Sequence, residues 1–143
     1  MEFKPLTTKE IMLLHDILIA QYGGATGLRD RALLEGAISR ADSRIACGQA
    51  EPASLGSFVD AAVAVAVGIV SSHPFVDGNK RTALLVIRSL LNLNDVVFSP
   101  PPQEVADAMV RLASGEWSED VFKDWVLRNS VLRMTIITQP KSH

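Results

Sequence analysis

Residues 73–82 read HPFVDGNKRT, and the side-chain types in this run suit phosphate chemistry. Histidine titrates near pH ~6.5, so His73 can accept a proton at neutral pH and serve as a base. Four residues on stands Asp77, a hard oxygen ligand. Magnesium in phosphoryl-transfer sites is held by one or two carboxylates together with the substrate phosphates. Gly78 precedes an apolar periodic run that reads as a helix, and the free amides of a helix start favour an anion. Glycine there lets a phosphate approach the backbone closely. Asn79, Lys80 and Arg81 add side-chain donors beside the same terminus.

Two cations in a first helical turn oppose the positive end of the helix dipole, at about 0.3–1 kcal/mol each. A protein with no ligand there gains nothing from them. A polyphosphate would supply the missing negative charge. Taken singly, each residue has an ordinary reading. Phe75 is an apolar anchor pinning the loop to the core. Pro74 is a helix stop, Asp77-Gly78 a turn, and Lys80 and Arg81 a solvated face. The chemical reading rests on their arriving together. A Walker phosphate loop is excluded, because Asn79 and not glycine precedes Lys80. The glycine-rich and HRD segments of eukaryotic-type protein kinases are absent.

The elements that must position this loop follow from periodicity and punctuation. Thr7 and Glu10 have capping-box spacing ahead of Ile11, Leu14 and Leu18, and Gly23-Gly24 ends that first helix. Asp30 caps a second, with Leu33, Leu34, Ala37, Ile38 and Ala41 as its apolar stripe. Ser43–Ala53, with Gly48 and Pro52, reads as loop. Ser54 caps a third helix, Leu55–Ser72, which is apolar nearly all round and is expected at the centre rather than across a membrane. Proline disfavours helix in the residue before it, so His73 is placed at the exit. A fourth helix is predicted from about Asn79 to Leu93, with Leu84, Ile87 and Leu91 on one face. Val96–Phe98 reads as a short extended piece. Three prolines, Pro100 to Pro102, precede a fifth helix carrying Val105, Met109 and Leu112 and ending at Gly115. Ser118 opens a sixth, whose pattern continues through Phe122, Trp125, Val126, Asn129 and Leu132. The expectation is one all-α domain over residues 1–138, a bundle of about six helices with the loop between two central ones, and a frayed tail at 139–143.

Bulk properties narrow the classes further. The 143 residues suit one domain with a real core. With 48% hydrophobic and only 6% aromatic residues, that core is built from Ala, Val, Leu and Ile. A formal net charge of −2 creates no global pull towards nucleic acid. One cysteine rules out an internal disulfide framework, and the polar start MEFKPLTTKE lacks a signal-peptide layout, so the expected compartment is the cytoplasm.

The loop resembles the Fic/Doc signature H-x-F-x-D/E-G-N-G-R-x-x-R, which His73, Phe75, Asp77, Gly78, Asn79 and Arg81 match in register. Lys80 stands where the signature has glycine, and Leu84 where it has its final arginine. The ending Asn79-Lys80-Arg81-Thr82 resembles the Doc, or death-on-curing, branch of toxins. Leu14-His15-Asp16, Tyr22-Gly23-Gly24, Gly27-Leu28-Arg29-Asp30 and Glu35-Gly36-Ala37-Ile38 are similar to the Doc N-terminal half, so the likeness covers most of residues 10–95.

That resemblance implies a Fic/Doc-like helical bundle and a toxin that moves the γ-phosphate of ATP to a hydroxyl of a translation factor like elongation factor Tu. It implies His73 as the base, Asp77 as the Mg²⁺ ligand, and Gly78, Asn79, Lys80 and Arg81 around the phosphates. The alternatives are AMP transfer, which the missing glycine and arginine disfavour, and an inactive relative that only binds a partner. The family's inhibitory pattern S/T-x-x-x-E-G/N is broken at Glu35-Gly36, where Arg31 fills the hydroxyl position. A separate antitoxin protein is therefore the expected control. No direct nucleic-acid or membrane partner is implied.

Overall fold

The computed structural model describes residues 3–47 and 54–133. Six helices follow one another: α1 Thr8–Tyr22, α2 Arg31–Cys47, α3 Leu55–Ser72, α4 Asn79–Leu93, α5 Pro102–Ser114 and α6 Glu119–Arg128. Two short strands, β1 Val96–Phe98 and β2 Ser130–Leu132, pair antiparallel. The all-α expectation holds, with this small ribbon added.

The helix starts obey local chemistry. Thr7 accepts from the Glu10 N–H while the Glu10 carboxylate accepts from the Thr7 N–H. Asp30 receives the Leu33 N–H, Ser54 that of Ser57, and Ser118 that of Val121. Gly115 closes α5 in the left-handed conformation that glycine adopts without strain.

α3 is the axis of the molecule. Phe58, Val59, Ala61 to Ala66 and Ile69 are almost wholly buried, and α2, α4, α5 and α6 all pack on it. By length and composition α3 could cross a membrane, but 61% of it is buried inside the fold, as in a core helix. Each Val or Ile so buried contributes about 1.5–3 kcal/mol. α2 lies unusually close. A Cβ placed on Gly68 would fall 2.8 Å from the Ala37 Cβ.

Two stretches differ from expectation. Residues 43–47, read as loop, continue α2, because Arg44 reaches across to Asp60 and Glu119 and holds the extra turn. Residues 48–53 of that expected loop, and the tail at 139–143, lie outside the described residues. The pattern read as helix through Leu132 stops at Arg128. Asn129 caps it, and Ser130–Leu132 leaves to pair with β1. Leu132 therefore answers to a strand register with Val96, not to the helical stripe.

Candidate active site

The loop 73–78 leaves α3 through a backbone that few residues adopt. His73 has φ 52° and ψ 61°, the left-handed region, and its N–H donates to the Ile69 carbonyl. Histidine is among the side chains enriched there, though the conformation costs about 1–2 kcal/mol. The imidazole is exposed.

A second loop, joining α1 to α2, clamps the first. Arg29 donates from Nε to the His73 carbonyl and from Nη2 to the Ser72 carbonyl, each at 2.7 Å. The N–H groups of Arg29 and Asp30 both reach the Pro74 carbonyl, and that of Val76 reaches Gly27. Leu28 and Phe75 form an isolated antiparallel bridge. The orphan carbonyls at the end of α3 are thus satisfied from a segment more than 40 residues away.

Phe75 is buried, with its ring stacked on that of His15 at 4.0 Å and 8°. Asn79 closes the loop from the other side. Its carboxamide accepts the Phe75 N–H and donates to the Phe75 carbonyl, both at 3.0 Å. The Asn79 side chain is therefore committed to holding the loop, and what it presents outward at the helix start is its backbone N–H.

Asp77 is exposed. Its Oδ1 accepts the Gly78 N–H at 2.8 Å and its Oδ2 the Ala25 N–H at 3.3 Å. Gly24 makes room for it, since a Cβ there would come 2.8 Å from Oδ2. Gly78 has φ 75°, so glycine is required here by the backbone, while the space around it would admit a methyl group.

α4 begins without a side-chain cap and without an acid in its first turn. The N–H groups of Asn79, Lys80 and Arg81 have no acceptor among the described residues. Lys80 and Arg81 are exposed, and the Arg81 guanidinium lies over the Tyr22 ring, 4.6 Å from its centre. Three free donors and two exposed cations with no carboxylate partner among the described residues thus share the first turn of α4, a setting that favours an anion.

Those two loops, α1 and the start of α4 all fall within one match. A sequence model described as the Fic/DOC family covers residues 5–91. The chain belongs to this family. Among Fic/DOC proteins, it is 33% identical over 124 residues to "Protein kinase doc" of Escherichia phage P1, covering 86% of this chain and 93% of that protein. It is also 33% identical over 84 residues to "Toxin Doc" of Mycolicibacterium smegmatis, covering 57% of this chain and 62% of that protein.

Two features of the family site escaped the sequence reading. His15, named in the sequence only within the likeness of Leu14-His15-Asp16, is buried and bonds the Asp77 carbonyl through Nε2 at 2.8 Å. The signal is the i, i+4 spacing Ile11–His15–Ile19, the face that α1 buries; of the expected stripe Ile11, Leu14 and Leu18, Ile11 is buried and the two leucines are half-buried. Arg29 carried no physical signal in sequence. Arg40 and Arg44 form a half-buried network. Arg40 pairs with Glu119, and Arg44 pairs with Glu119 and Asp60. Burial pulls the Arg44 pKa down, but the two carboxylates outweigh it and the net shift is upward.

Proposed function

We propose that this chain is a Doc-type protein kinase, the toxin of a toxin–antitoxin pair. It moves the γ-phosphate of ATP to a hydroxyl of a translation factor like elongation factor Tu and so blocks translation. The observation that carries this reading is the uncapped start of α4, with free N–H groups on Asn79, Lys80 and Arg81, on the same short loop as the exposed His73 and Asp77. Likeness to a protein named as a kinase over 86% of the chain supports it.

In this reading His73 removes the proton of the attacking hydroxyl. The new bond forms between that oxygen and the γ-phosphorus, and the bond from the γ-phosphorus to the bridging oxygen breaks, leaving ADP. The amides at the start of α4 and the side chains of Lys80 and Arg81 hold the charge that spreads over the phosphate oxygens. Lys80 adds a point charge where the family signature has only glycine. Asp77 keeps an exposed carboxylate whose oxygens each accept only one N–H, so it fits as the residue that would hold Mg²⁺. When bound, the ion neutralises phosphate charge.

The test uses ATP labelled at the α- or the γ-position, with elongation factor Tu as acceptor. Label is expected to pass from the γ-position only. Transfer from the α-position would assign AMP transfer instead, the reading that Lys80 and Leu84 disfavour. Absence of transfer, with toxicity unchanged in His73→Ala, would leave a binding protein without chemistry. A separate antitoxin is expected to relieve the toxicity by folding a disordered segment onto this chain.

A further inference from the structure

Resting on that reading and deepening it, we infer that His15 is a positioning residue: its buried imidazole turns the Asp77 carbonyl inward and thereby sets the start of α4 for phosphate.

His15 is 1% exposed, and a polar ring so placed is unfavourable unless it is bonded. Its bond goes to the Asp77 carbonyl oxygen, 2.8 Å from Nε2. A carbonyl only accepts, so Nε2 must carry the proton. The other nitrogen, Nδ1, lies 4.0 Å from Asp16, beyond hydrogen-bond range. One tautomer is therefore selected, with a single directed donor.

The consequence is electrostatic. The Asp77–Gly78 peptide immediately precedes the free amides of α4. Rotated outward, its carbonyl would present the negative end of a dipole to any anion docking there. Held by a ring in the interior, the carbonyl points away from solvent. The ring also stacks on Phe75 and lies 3.7 Å from the site of a Gly78 Cβ. It thus touches the loop at two of its six residues, 75 and 77, and borders the space that a side chain at 78 would enter.

Two substitutions in the full chain separate the hydrogen bond from the packing. Glutamine can place an amide N–H near the Nε2 position, whereas phenylalanine keeps the stack and loses the donor. His15→Phe is expected to raise KM for ATP and lower kcat/KM about 10- to 100-fold, as loss of outer-shell partners does. Exchange of the Phe75 and Val76 amides should quicken about tenfold, the effect of one lost hydrogen bond. His15→Gln should recover much of both. A His15→Phe chain with unchanged exchange and unchanged KM would overturn the inference. The wild-type ring offers a check free of folding effects: long-range ¹H–¹⁵N correlation should show the Nε2–H tautomer, and an Nδ1–H tautomer would defeat the proposal outright. Should the wild-type chain transfer no label, the kinase reading fails alone, because tautomer and amide exchange still decide the role of His15.

Discussion

At the exit of α3, one guanidinium holds the last two carbonyls before Pro74, so the backbone of His73 is fixed by Arg29 as well as by its own bond to Ile69. Replacing Arg29 with Ala should cost about 0.5–1.5 kcal/mol in stability, the net worth of exposed hydrogen bonds. The cost to transfer should be larger, about 10- to 100-fold in kcat, because the imidazole loses its mount. Arg29→Lys should recover only part, since one ammonium cannot fork to both carbonyls. Denaturant melts and steady-state transfer rates on the same preparations check both figures. The contiguous part of the site was legible in the sequence. His73, Asp77 and the cations of Lys80 and Arg81 lie within nine residues of one another, and their conflict with the helix dipole could be read directly. Arg29 and His15 act across separations of 44 and 62 residues. No local pattern encodes such distances.

Helix boundaries were legible wherever a capping side chain fixes them, as at Thr7, Asp30, Ser54 and Ser118. They were lost where tertiary partners decide, as at residues 43–47 and at Leu132. The α2–α3 contact is of this second kind. Gly68→Ala should gain about 1 kcal/mol of helix propensity. Against this stands a Cβ that would meet the Ala37 Cβ at 2.8 Å and its Cα at 2.9 Å. Overpacking of this sort costs about 1–3 kcal/mol. The clash wins, because a neighbouring Cα cannot rotate aside. Urea unfolding should show a net loss of about 1 kcal/mol, and a gain in stability would mean that α2 shifts freely.

The family match ends at residue 91, yet α5, α6 and the ribbon are not appendages. Glu119 of α6 accepts from both Arg40 and Arg44 of α2, and Asp60 of α3 joins Arg44 to Lys123. These side chains are a fifth to a third exposed, so screening by water limits what they contribute. Glu119→Gln should cost about 1 kcal/mol, and the difference from wild type should shrink in molar salt. An equal difference at low and high salt would show that packing alone joins α6 to the rest. His73 bears on the stability of the whole chain in a different way. Its left-handed backbone is one that glycine would occupy at ease. Chains selected only to fold would drift towards glycine at this position. If His73 is the base of the proposed transfer, the strain of its backbone is offset by what its imidazole does.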